Sequence, residues 1–296
     1  MANFQKNHPL NTPGSLFTDS TCIDCGTCFH IGPEFFKENE IDDKSIIIKQ
    51  PHGPKDWLIA KRAVLSCPTN SIGVKDAPED FKILGTGLPY EIEDGVFYLG
   101  YTSRDSFGAT AYLIRHPDGN IMVDSPRFHP WLVKELEALG GVKWMFLSHQ
   151  DDVADHEKFQ AHFGCERIIH KDDVTSETEG CEKILEGTGH VELTPGLIII
   201  MTPGHSKGHM NLLYKEKFLF TGDHIFVSQE TNELRASKGV CWYSWNEQVK
   251  STEKLLPEKF EWVLPGHGGW AFFGVEEAHN KLKTLLASMK DGNERI

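Results

Sequence analysis

Four short apolar runs in this chain each lead into a histidine or an aspartate, and that repeated design constrains the fold more than any other feature. Lys143-Trp-Met-Phe-Leu-Ser148 runs into His149, and Leu197-Ile-Ile-Ile-Met-Thr202 passes through Pro203 and Gly204 to His205. Lys217-Phe-Leu-Phe-Thr-Gly222 runs into Asp223, and Glu261-Trp-Val-Leu-Pro-Gly266 into His267. Runs of this length and composition, bounded by Gly and Pro, read as strands. From about residue 90 onward they alternate with helical patterns, the signature of an α/β arrangement. Strands that share a sheet bring their following loops to one edge, where such proteins place their sites. Imidazoles and carboxylates gathered there make a binuclear metal site.

The N-terminal quarter has a different chemistry. Cys22-Ile-Asp-Cys25-Gly-Thr-Cys28 is C-x2-C-x2-C, and Cys67-Pro68 follows far downstream. One turning loop aims the first three thiolates at a common cubane, with Gly26 allowing the tight backbone, and the remote Cys-Pro supplies the fourth. Position 32 is Gly, so no second cluster is expected. Zinc is the competing reading of C-x2-C pairs, but the third cysteine and the Cys-Pro favour iron–sulfur. A helix is expected around residues 55–65, where Trp57, Leu58, Ala60 and Val64 are apolar. Residues 1–75 form the iron–sulfur domain, a stretch with Pro78, Gly85, Gly87 and Pro89 at 76–90 reads as a linker, and 91–296 form the second domain.

The 296 residues carry a net charge of −13, which argues against nucleic acid or an anionic membrane surface as partner. No apolar run is long enough to span a bilayer, and the first twenty residues lack an export signal, so a cytoplasmic location is expected. Seven cysteines in such a chain do not read as a disulfide framework. Cys165, Cys181 and Cys241 fit no ligand spacing and read as buried thiols, with Cys241 the one that could lie near the site.

Residues 16–75 resemble single-cluster ferredoxins, including Pro33-Glu-Phe-Phe and Ser71-Ile-Gly73. Residues of about 90–290 resemble the metallo-β-lactamase superfamily through Thr202-Pro-Gly-His205-Ser-Lys-Gly-His209, Thr221-Gly-Asp223 and Pro265-Gly-His267-Gly, with Ala109-Thr-Ala-Tyr-Leu-Ile114 and Ile121-Met-Val-Asp124 as an early strand pair. The resemblance implies an α+β fold: a small ferredoxin-like domain followed by a four-layer αββα sandwich. The first metal motif departs from that family's H-x-H-x-D-H. Here it reads His149-Gln-Asp151-Asp152-Val-Ala-Asp155-His156, with a carboxylate at the second position and two extra residues before Asp-His. By resemblance, His149, His205 and Asp151 or Asp152 hold the first metal; Asp155, His156 and His267 hold the second; Asp223 bridges. The bland reading of Asp155 is the N-cap of a helix over 157–163 that ends at Gly164. His209 and His224, next to the key residues, read as supporting histidines or as merely satisfied ones.

Three functions follow. The leading expectation is a metal-dependent hydrolase of esters, thioesters or lactones, with a small-molecule substrate, Asp155 and Asp223 as catalytic residues, and zinc or iron as the two divalent metals. The cysteine-held 4Fe–4S cluster at Cys22, Cys25, Cys28 and Cys67 then docks a redox partner protein or senses redox state. The second is a di-iron oxidoreductase fed by electron transfer from the cluster. The superfamily's flavodiiron branch, which resembles this chain in placing a carboxylate at the second motif position, supports it, because carboxylate-rich sites favour iron or manganese over zinc. The third is a non-enzymatic redox sensor on a degenerate scaffold. Lys207 reads as an anion-attracting or simply solvated lysine. Trp242, Tyr243, Trp245, Trp270, Phe272 and Phe273 read as a pocket wall or as core.

Overall fold

The computed structural model describes residues 2–83 and 85–291. They fall into two compact units, one made of Met1–Arg115 and Pro126–Gly141, the other of His116–Ser125 and Val142–Ile296.

In the first unit, the strand Leu16–Thr18 pairs antiparallel with Ile72–Val74, and Phe36–Glu38 pairs with Ser45–Ile47. The helix expected at 55–65 spans Gly53–Ser66. Its start is built locally: Pro54 sits in the first turn, and Asp56 Oδ2 accepts the His52 N–H at 3.0 Å. Trp57, Ala60 and Ala63, one helical face, pack with Leu16, Phe35, Phe36, Ile47 and Ile72 and with Cys28 and Cys67. Truncating Trp57 to alanine in such a core costs about 3–5 kcal/mol. The helix stops where Pro68 excludes the helical conformation for the residue before it, leaving Cys67 extended at φ −60°, ψ 118°. That stop delivers the fourth thiol.

The stretch read as a linker is not a bare tether. It holds the short helix Glu79–Ile83, whose Phe81 ring meets Trp57 edge-on at 5.7 Å and whose Phe81 carbonyl accepts Lys61 Nζ at 2.9 Å. Three further strands of this unit, Tyr90–Glu93, Val96–Tyr98 and Tyr112–Ile114, form an antiparallel meander. Its first turn uses Asp94 and Gly95, both at positive φ, the pair a two-residue hairpin requires.

Among the described residues, the second unit contains two larger sets of strands and a short antiparallel pair, Phe226–Val227 with Leu234–Arg235. Ile121–Val123, Trp144–Phe146, Glu166–His170 and Lys183–Leu185 run parallel, with the helix His156–Phe163 crossing between the second and third. The other set is ordered His190–Thr194, Leu197–Met201, Met210–Tyr214, Phe218–Gly222, Trp262–Pro265, Ala271–Phe272. It is antiparallel except for the fourth and fifth strands, Phe218–Gly222 with Trp262–Pro265, which the helix Trp245–Lys254 connects. Ile200, Leu213, Leu219 and Val263 pack against Leu282, Leu285 and Met289 of the helix Val275–Asp291. Residues 210–214 and 218–222 are buried throughout, as strands covered on both faces are. Among the described residues, no helix is long and apolar enough to cross a membrane.

Candidate metal centres

The four cysteines of the first unit line one cavity with Ser45, Thr69, Ser71 and Ile72. Gly26 enters at φ 78° and starts the turn of helix Thr27–Ile31 that carries Cys28. Backbone amides are aimed at sulfur: Ser71 N–H at Cys67 Sγ (3.2 Å), and Asp24 and Ser45 N–H at Cys22 Sγ (both 3.5 Å). Burial pushes the Cys25 thiol up to about 11 and Cys28 well above its ordinary value, and the neighbouring thiols add to both. Clustered buried thiolates are therefore costly unless cations sit among them, which is what the irons of a cluster provide. The cavity and its donors fit a 4Fe–4S group.

Gly108 packs against the cysteine loop from within the same unit. Thr27 Oγ1 donates to the Gly108 carbonyl at 3.1 Å, and a Cβ at Gly108, whose φ is +87°, would stand 2.7 Å from Cys25 Cβ. Glycine is required there on both counts.

In the second unit the strand order explains the convergence. Leu197–Met201 and Phe218–Gly222 are each antiparallel to Met210–Tyr214, so they point the same way, and Trp262–Pro265 runs parallel to Phe218–Gly222 with Gly222 opposite Pro265. His205, Asp223 and His267 thus emerge along one edge. Asp223 Oδ2 lies 3.7 Å from His149 Nε2, 3.7 Å from His205 Nε2 and 3.8 Å from His267 Nε2. Asp151 Oδ2 lies 3.4 Å from His205 Nε2 and 3.9 Å from His149 Nε2, and Asp152 Oδ1 lies 3.7 Å from His267 Nε2. Two ligands each about 2.0–2.2 Å from one ion stand roughly this far apart. Ligand atoms of His149, Asp151 and His205 fall within 4.8 Å of one another, as do those of His149, Asp152 and Asp223.

The donor atoms are those of a cation site. His149 Nε2, His205 Nε2, Asp152 Oδ2 and Asp223 Oδ1 are buried without a hydrogen-bond partner among the described residues, a costly state unless a metal takes them up. Burial opposes protonation of His267, but the carboxylates of Asp223, Asp152 and Asp124 outweigh it and push its pKa up to about 9. Burial opposes it at His205 too, and there Asp151, Asp223 and Asp152 hold the pKa above its ordinary value. The pocket demands positive charge. The residues present fit a pair of divalent metals.

Supporting contacts hold these groups still. Ser148 Oγ sits 2.9 Å from His149 Nδ1, and Ser148 N–H donates to Asp124 Oδ1 at 2.7 Å. Asp223 N–H donates to His209 Nε2 (3.2 Å), so the His209 proton lies on Nδ1, which meets Thr202 Oγ1 at 3.0 Å. Burial, reinforced by His149, His224 and His205, holds the His209 pKa well below its usual range. His224 Nε2 meets Thr252 Oγ1 at 3.1 Å, and burial lowers its pKa to about 3. Both rings are buried and hydrogen-bonded, His209 directly to the Asp223 backbone.

Asp155 and His156 are a correction. The structure does not bring them to this edge. Asp155 stands at the N-cap of the helix His156–Phe163, but its side chain makes no capping bond and pairs with Lys158 Nζ at 2.7 Å. His156 Nδ1 accepts Arg167 Nη1 at 3.1 Å, and Arg167 is held in turn by Glu182 at 2.9 Å. The two extra residues carry the Asp-His pair past the turn at Ala154 (φ 32°) and into the helix. Asp152, three positions after His149, takes the place beside His267.

Other expectations resolve singly. Cys165 and Cys181 are buried, but Cys241 is only partly so and its thiol donates to the Gly204 carbonyl at 3.2 Å, next to His205. Lys207 is solvated and pairs with Asp172 at 2.9 Å. Phe273 is core, whereas Trp242 is exposed with its ring 6.3 Å from that of His205. Asp124 is the residue that sequence reasoning passed over as a site member. Its signal was present, since Ile121-Met-Val-Asp124 is a fifth apolar run ending in an acid.

A family described as the metallo-beta-lactamase superfamily matches residues 101–289, and one described as the 4Fe-4S single cluster domain of Ferredoxin I matches residues 18–74. Among curated proteins none matches the chain. Among solved structures, VMB-1 is similar with a TM-score of 0.53 at 15% identity, over 69% of this chain and 97% of that one. DIM-1 exposed to ceftazidime is similar at 0.53 and 17% (69% and 96% covered). The mono-zinc form of FIM-1 from Pseudomonas aeruginosa is similar at 0.52 and 18% (69% and 94%). At such identities the likeness is one of fold, and it establishes the expected α+β sandwich.

Proposed function

Because the chain belongs to the metallo-beta-lactamase superfamily and carries a 4Fe–4S single-cluster domain ahead of that fold, we propose that it is a metal-dependent hydrolase of a small ester, thioester or lactone. The observation that carries this reading is the position of Asp223 Oδ2, 3.7–3.8 Å from three imidazole Nε2 atoms. His149, Asp151 and His205 would hold one metal, Asp152 and His267 the other, and Asp223 would stand between them. Such a pair, when bound, supplies a nucleophile at neutral pH by lowering the pKa of water, and it polarises a carbonyl. Asp152 takes the orienting role first expected of Asp155: it is buried, and its Oδ2 has no hydrogen-bond partner among the described residues. Asp151, with a side chain 44% exposed, forms the wet side by which substrate and product pass. The cluster of the first unit serves as a redox-sensing or partner-docking element. The test is a panel of esters, thioesters and lactones assayed with the full chain, stripped of divalent metal and then reloaded. Turnover that returns with metal, needs no reductant and is lost in Asp223→Ala supports the reading.

A second reading is a di-iron oxidoreductase that draws electrons from the cluster. Asp151, a carboxylate against His205, favours it, because oxygen-rich ligand sets shift preference from zinc towards iron or manganese. Iron beyond the cluster's complement, with consumption of a reductant and of oxygen or nitric oxide, would select it over hydrolysis.

A further inference from the structure

We propose that Asp173 is a positioning residue for the first metal site, tying the loop that carries His149 and Asp151 to the loop that carries His205. The inference rests on the metal-site reading above. Asp173 is 1% exposed and stands outside every motif that supplies a ligand. Its carboxylate collects donors from both metal loops. Oδ1 accepts the Gly208 N–H at 2.6 Å, Oδ2 accepts the Ser206 hydroxyl, and Oδ2 also accepts the Gln150 N–H at 3.3 Å. Gln150 lies between His149 and Asp151, and Ser206 follows His205 directly.

Asp173 is itself aimed by its surroundings. His170 Nδ1 accepts the Asp172 N–H at 3.2 Å and so starts the single turn Lys171–Asp173, while Thr178 Oγ1 donates to the Asp173 carbonyl at 3.4 Å. Close approach completes the arrangement, since a Cβ at Gly208 would stand 2.8 Å from Asp173 Cγ. A buried carboxylate that accepts three donors from two loops holds those loops at one spacing, and here that spacing is the one between His205 Nε2 and Asp151 Oδ2. The second position, Asp152 with His267, receives no contact from Asp173 in this network. The strut is therefore selective.

The experiment uses the full chain with its cluster loaded and its divalent metals removed, titrated with zinc against a chromophoric chelator. His205→Ala and His267→Ala assign the two binding steps. In Asp173→Asn, which keeps the volume but turns an amide towards one of the donors, affinity at the first step falls by about 10–100-fold, the range for residues that orient ligands. The second step stays within about twofold, while the unfolding midpoint falls in both metal-free and loaded protein because a buried donor loses its acceptor. Ser206→Ala, a milder lesion of the same strut, weakens the first step less, and its effect does not add to that of Asp173→Asn. Equal loss at both steps, or an unchanged first step in both variants, overturns the proposal. Wild-type protein that binds zinc at neither step overturns the metal-site reading itself.

Discussion

The backbone N–H of Asp223 donates to Nε2 of His209 at 3.2 Å, so the carboxylate that lies between His149, His205 and His267 is held by a fourth histidine whose Nε2 is already engaged. The bond fixes the tautomer of His209 and the direction of the Asp223 backbone together. It accounts for a second histidine in the segment Thr202–His209 without giving it a metal.

Replacing His209 by phenylalanine should therefore act through Asp223. The buried Asp223 N–H loses its acceptor and Thr202 loses a partner, which costs about 1–3 kcal/mol of stability. Urea denaturation measures that loss. Metal analysis should show weakened binding of the divalent pair, with cluster absorbance unchanged.

Asp152 and Asp155 give opposite expectations. Asp152→Ala should release metal from the position it shares with His267, whereas Asp155→Ala should leave metal content unchanged while removing the pairing with Lys158. Metal content of the two purified variants decides between the arrangement found here and the one expected from motif spacing.

Gly222 has φ 47°, and a Cβ there would meet Ser148 Oγ and His209 Nε2, each at 2.7 Å. Gly222→Ala should cost at least about 1–2 kcal/mol from the backbone conformation alone. The clash adds to this by displacing two groups that support His149 and Asp223. A variant with wild-type unfolding midpoint and wild-type metal content would contradict the assignment.

At the other centre, Cys25→Ser should bleach the brown cluster absorbance, and Gly108→Ala should lower cluster loading by pressing on Cys25. Gly108 lies in the stretch that matches the lactamase family, 101–289, yet it belongs to the same compact unit as the cysteines. Removal of residues 1–75 should for that reason expose apolar surface and yield aggregated protein, read by gel filtration.

His149, His205, Asp223 and His267 were legible because each follows an apolar run closely, so strand direction carries them to one edge whatever the details of packing. The helix Gly53–Ser66 was legible from its apolar face and from the Pro68 that ends it. Asp155 and His156 were misplaced because their role was carried over from a spacing that this chain does not keep. A two-residue insertion in a turn changes which side chain reaches the site, and local sequence does not record the choice. Asp173 could not be read at all: its partners Ser206 and Gly208 are 33 and 35 residues away, and only the tertiary fold brings them together.

The central claim is that one chain holds a cluster and a separate pair of divalent metals with Asp223 between them. Metal stoichiometry of anaerobically purified full chain, wild type beside Asp223→Ala, tests it most directly. The account predicts about four cluster irons plus two further metals in the wild type, and loss of only the latter in the variant. Cluster iron alone in the wild type, or an undiminished second pair in Asp223→Ala, would contradict it.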